Sequence, residues 1–214
     1  MPPRLTVGAV FGPTPLAVEL ERASHLVSPV DSIEHVDLVL LDGEAGEVVR
    51  GVDKLKAQAR DKQMFLHTAL GAGAQLLDDV ETSGAIVMCA SNLFGNVWVT
   101  SAADEVGETI VGLIVSEIGG TSIPISDTQR PALVAAQRLR ALESVLRNDA
   151  ADILRDTLPT FDVFEAGYMA APSGTAGPIA VEELEWVVSA VGDEQVRALL
   201  RDVERRRAEQ ERKQ

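Results

Sequence analysis

The sequence predicts an α/β fold in which a mostly parallel sheet is covered by helices and followed by a helical C-terminal region. Three observations carry the prediction. Short runs rich in Val, Ile and Leu alternate with amphipathic stretches through residues 5 to 122. These runs are apolar nearly throughout, not at every second position, as expected of strands buried on both faces. Beyond residue 128 the apolar residues recur at helical intervals.

Taken in order, "RLTVGAVF" reads as a buried first strand. "GPTP" breaks the chain, and "PLAVELERAS" reads as a helix opened by Pro15, with Leu16, Leu20 and Ala23 on one face. "HLVSPV" is a short second strand at a sheet edge, because Pro29 has no N–H to give a ladder. "VDLVLLD" is the clearest strand and ends on Asp42. After Gly43, Val48, Val52, Leu55 and Ala59 form one stripe of an amphipathic helix. "MFLHTA" is a strand, "GAGAQLLDDVETSG" a short helix and "AIVMCAS" a strand. The turn-rich "NLFGN" then leads to "VWVT", a sixth strand or a hairpin partner.

"SAADEVGETIVGLIVSEIGG" has strong helix signals. Ser101 with Asp104 resembles a capping box, acids crowd the first turn, and Gly119 and Gly120 supply the stop. Its expected buried stripe is Ile110, Leu113, Ile114 and Ile118. "TSIPIS" is a short extended piece. A long helix follows, with Leu139, Leu142 and Leu146 at helical intervals and Pro159 as terminator. "APSGTAGP" reads as a loop, and one last helix runs from "VEELEWVVSAVGDEQVRALL" into a charged end that should fray. The expected division is an α/β domain over residues 1–122 and a helical region over residues 123–214.

Composition limits the function classes. The 214 residues are 46% hydrophobic, 24% charged and 4% aromatic, so aliphatic side chains must fill a globular interior. No stretch approaches the roughly 18 apolar residues of a membrane span, and "MPPRLTVGAVFGPTP" lacks the charged-then-apolar layout of a signal peptide. A cytoplasmic location without membrane association is expected. The single cysteine, Cys89, agrees, since it cannot form an internal disulfide. Net charge is −14, and residues 63–129 contain no Lys or Arg. Nucleic acid needs compensating cations, so it is not an expected partner. A nucleotide polyphosphate would need backbone amides or a metal. Arg205, Arg206 and Arg207 are interleaved with Glu204, Glu209 and Glu211, the pattern of a solvated helix face.

Parallel sheets present ligand sites beyond the carboxyl ends of their strands. Asp42 stands at such an end, either as a ligand-binding carboxylate or as the polar residue that turns a buried strand into solvent. If the strands are adjacent, Thr14 (or Pro13), Asp42, Thr68 and Ser91 or Asn92 converge on one rim, enough to bind a small polar ligand. They include no base partner for the carboxylate, so no catalytic residue and no cofactor are expected. His25, His35 and His67 lack helical pair spacing, so no metal site is expected. Cys89 reads as a buried small hydrophobe, and Trp98 and Trp186 as packing residues.

From about residue 5 to 122 the order of pieces resembles a response-regulator receiver domain, a flavodoxin-like α/β fold. "VDLVLLD" is similar to the third receiver strand, whose last residue, here Asp42, is phosphorylated. "MFLHTA" is similar to the fourth, with Thr68 before a small residue, and "SAADEVGETIVGLIVSEIGG" to the last helix. The acidic pair and the lysine that phosphoryl transfer needs are missing: "VFGPTP" has no acid, and "IVMCAS" leads only to Cys89, Ala90 and Ser91. The resemblance therefore implies a pseudo-receiver, a non-phosphorylated signalling module acting through protein partners or as a homodimer through residues 128–214. The alternative is a small-molecule-binding protein or enzyme with a polar site on the sheet rim. "TALGAGAQLLDDV" and "VGETIVGLIV" also resemble the substrate-binding domain of D-2-hydroxy-acid dehydrogenases. Yet "GAGAQLL" departs from the G-x-G-x-x-G fingerprint at Leu76.

Overall fold

A computed structural model describes residues 4–171 and 179–212. The chain divides into two compact units, Met1–Arg138 and Leu139–Gln214.

The first unit holds a sheet of seven strands: β1 (Thr6–Ala9), β2 (Leu26–Pro29), β3 (Leu38–Leu41), β4 (Met64–His67), β5 (Ile86–Phe94), β6 (Val97–Ala102) and β7 (Thr121–Pro124). Their order is β2-β1-β3-β4-β5-β6-β7. The first five run parallel, β6 returns antiparallel to β5 as a hairpin, and β7 pairs parallel with β6. Pro29 does place β2 at an edge. All four residues of β3 are buried, and its alternation divides the core. Val39 and Leu41 pack on one face under α2 (Ala45–Leu55), with Val48, Val52 and Leu55. Leu38 and Leu40 pack on the other, with Leu16 and Leu20 of α1 (Pro15–Arg22). Each such fully buried Leu or Val contributes roughly 1.5 to 3 kcal/mol.

No helix separates β2 from β3. Instead the buried Gln63 amide donates to the carbonyls of Ile33 and Val36, at 2.7 and 3.0 Å, and the Arg60 guanidinium adds a second bond to Val36 O at 2.9 Å, so the connection's acceptors are paired. The "GAGAQLLDDVETSG" segment forms a 3-10 turn at Ala74–Leu77 and the short α3 (Asp78–Glu81).

Two details of α4 (Glu105–Glu117) differ from expectation. Ser101 belongs to β6, so the cap is Asp104 alone, whose Oδ1 accepts the Gly107 N–H at 2.7 Å. The buried stripe is Gly107, Val111, Ile114 and Val115, and Leu113 is exposed. Gly107 fixes this rotation: a Cβ there would lie 2.8 Å from the Ala102 Cβ, so the helix approaches β6 on its smallest residue. The stop is a Schellman motif, with Gly120 N–H donating to Val115 O, Gly119 N–H to Ser116 O, and Gly119 at φ +75°.

A long helix, α5 (Arg130–Thr157), crosses the division between the units. The second unit continues with α6 (Glu165–Ala170), α7 (Val181–Ser189) and α8 (Glu194–Glu211). The single last helix expected from the sequence is thus two. Asp193 starts the second by accepting the N–H groups of Gln195 and Val196. Arg201 binds Glu185 in a two-pronged pair at 2.8 and 2.7 Å, joining α8 to α7. Leu139, Leu142 and Leu146 are exposed on α5. Most of the expected "APSGTAGP" loop, residues 172–178, lies outside the described residues. Among the described residues no helix is long and apolar enough to cross a membrane.

Candidate functional site

The strand order reverses at β1: the chain steps outward to β2 and then returns to lay β3 on the other side. The carboxyl ends of β1 and β3 therefore diverge from one point, where open α/β sheets place their ligands. Asp42 leaves β3 at that point. Its Oδ2 accepts the backbone N–H of Leu16 at 3.1 Å, and its Oδ1 accepts the Thr68 hydroxyl at 2.7 Å. Leu16 is the second residue of α1, whose N-cap, Thr14, makes no capping bond of its own. The start of α1 is thus capped from a neighbouring strand, 26 residues away in sequence. The Thr14 hydroxyl oxygen is buried there and finds no partner among the described residues.

A cleft of about 590 Å³ opens over this point. Asp42, Thr68 and Asn92 supply polar groups, Pro15, Leu16, Val18 and Trp98 supply apolar wall, and Glu19 and Arg22 stand at the α1 side. Arg22 is bound to Glu19. Of the residues expected on the rim, Asp42 and Thr68 are bonded to one another and Asn92 shares their cleft. Thr14 sits at the helix start. Ser91 is buried and contacts the Cys89 thiol at 3.6 Å instead. The sequence reading missed Glu19, Arg22 and Trp98, although Pro15, Glu19 and Arg22 follow one face of α1 at helical spacing.

A second polar group is packed within the unit. Arg130, 1% exposed, donates to Leu70 O (3.1 Å), Ser101 Oγ (2.6 Å) and Asp127 Oδ1 (3.0 Å). His67 lies nearby with its Nε2 2.9 Å from Gly73 O and its Nδ1 accepting the Ala69 N–H. A carbonyl can only accept and an N–H only donate, so the ring is neutral with its proton on Nε2. Burial lowers its pKa to about 4. Burial likewise raises that of Cys89, so its thiol stays protonated. Arg130 and His67 are thus buried and hydrogen-bonded within the unit. Among the described residues no group of His, Cys, Asp and Glu is placed to hold a metal.

No protein-family model matches the chain, and no curated protein sequence matches it. Solved structures do. A Bacteroides fragilis protein provisionally described as an NADP oxidoreductase superposes with TM-score 0.69 at 13% identity, over 94% of this chain and 97% of that one. The Mycobacterium tuberculosis 3-hydroxyisobutyrate dehydrogenase gives TM-score 0.54 at 14% identity, over 96% and 94%. The Plasmodium falciparum pyrroline carboxylate reductase, solved with NADP bound, gives 0.56 at 10% identity, over 93% and 84%. Likeness at this identity concerns the fold, which is Rossmann-like.

That finding corrects the receiver resemblance and the signalling, pseudo-receiver role drawn from it. The cause of the misreading is visible in the sheet. The order β2-β1-β3-β4-β5 is also that of flavodoxin-like folds, so the first five strands carry the same sequence pattern in both. The β5–β6 hairpin and the added β7 fall outside that five-strand pattern.

Proposed function

We propose that this chain is a small-molecule protein of Rossmann-like oxidoreductase architecture, with its ligand in the rim cleft beside Asp42 and Thr68. One observation carries the reading. The cleft lies at the sheet's switch point, and a carboxylate, a hydroxyl and an amide share it with an apolar wall that includes an indole. That mixture suits a small polar ligand with an apolar part. Trp98 lines the cleft and Trp186 is 75% exposed, so a Trp186→Phe background makes indole emission a reporter of the cleft alone. A metabolite screen in that background should yield a ligand whose saturable effect is abolished by Thr68→Ala. If no metabolite perturbs Trp98, the reading fails.

A dehydrogenase or reductase is the second reading, favoured because the oxidoreductases above match almost the whole length of the chain. It requires a nicotinamide dinucleotide whose diphosphate rests on the first turn of α1. The same emission, followed during NADPH addition, separates the two.

A further inference from the structure

A dinucleotide diphosphate is held in this architecture by a glycine-rich turn after the first strand and by free N–H groups at the following helix start. The turn here is Val10, Phe11, Gly12, Pro13, Thr14 and Pro15. Gly12, at φ +85°, is its one glycine. The Phe11 ring fills space toward α2, where a Cβ on Gly51 would come within 3.1 Å of it. Of the first four backbone nitrogens of α1, Pro15 has no hydrogen and Leu16 already donates to Asp42. Pro13 removes another donor just before them. An anion arriving here would also meet the Asp42 carboxylate, and Arg22, the cation lining the cleft, is engaged by Glu19. The residues do not fit a diphosphate.

We propose that Asp42 takes the place of a ligand's diphosphate at the start of α1, so that the rim cleft receives a neutral or cationic, non-phosphorylated small molecule. The inference rests on reading the cleft as the ligand site. It assigns Asp42 a double role: it holds α1 against β3 and β4 through Leu16 and Thr68, and it excludes anions from the position they would otherwise occupy. The Thr14 hydroxyl, buried at the same helix start, has no partner among the described residues.

The test follows Trp98 emission in the Trp186→Phe protein during NADPH addition, together with thermal shift by inorganic pyrophosphate. Wild-type Asp42 should give no saturable response to either at millimolar concentration. Pro13→Gly/Pro15→Gly/Asp42→Ser should bind pyrophosphate saturably, with a Kd at least about tenfold below the highest concentration at which wild type gives no response. Asp42→Asn, which removes the charge and keeps an acceptor oxygen, should move the same way, and it serves if the triple variant does not fold. Saturable NADPH binding by the wild type, competed by pyrophosphate, overturns the inference while leaving the cleft as the ligand site. So does a folded Asp42→Asn that gains nothing. A Trp98 that responds to no metabolite, phosphorylated or not, overturns the cleft reading itself.

Discussion

Acidification should remove stability through His67. Its folded pKa of about 4 lies below the ordinary 6.5 because burial disfavours the charged ring, and this outweighs the opposing hydrogen bond to Gly73 O. The unfolded chain therefore binds more protons between these two values. The contribution of His67 is complete above pH 6.5 and is lost as the pH falls through that range toward 4. The separation corresponds to roughly 3 kcal/mol in full, most of which is lost between about pH 7.5 and 4.5. Other acids titrate over the same range, so the measurement is a difference. Urea unfolding of wild type and His67→Gln, compared over that interval, should show wild type losing about 2 to 3 kcal/mol more. Equal losses, or a His67 ring resonance that titrates near 6.5, would refute the burial argument.

Arg130→Met leaves the Leu70 carbonyl and the Ser101 hydroxyl without their donor and should cost about 2 to 4 kcal/mol in denaturant unfolding. Gly73→Ala drives a Cβ into Asp127 Oδ1, the carboxylate that holds Arg130, so the two substitutions combined should cost less than their sum. In Gly120→Ala the new Cβ falls 2.7 Å from Trp98 Cδ1, and a shift in indole emission maximum should report the displaced ring. Self-association through residues 128–214 is proposed to involve the exposed Leu139, Leu142 and Leu146. On that reading wild type sediments as a dimer and Leu142→Glu as a monomer.

Much of the first unit was legible because single residues decide it locally. Pro29 marks an edge strand, the unbroken apolar run of β3 marks burial on both faces, and Val48, Val52 and Leu55 mark one side of α2. Asp42 was legible as a rim residue from its place at a strand end. Its capping of α1 was not, because that bond joins two elements 26 residues apart and follows only from the strand order. Ser91 was misplaced for a related reason. β5 continues through Phe94, three residues beyond Ser91, so that side chain faces the Cys89 side and not the rim. The break between α7 and α8 did have a signal, since Gly192-Asp193 pairs a helix breaker with an N-cap residue. The receiver resemblance failed where sequence pattern is weakest, in distinguishing folds that share their first five strands.

The Leu16 backbone amide resonance in an isotope-labelled protein reads the role of Asp42 directly. That N–H is held by Asp42 at the position where a diphosphate would bind. NADPH and pyrophosphate should leave its chemical shift unchanged, whereas a neutral or cationic ligand found by screening should shift the resonances of Thr68 and Trp98. A saturable shift of the Leu16 amide on adding NADPH would contradict that role of Asp42.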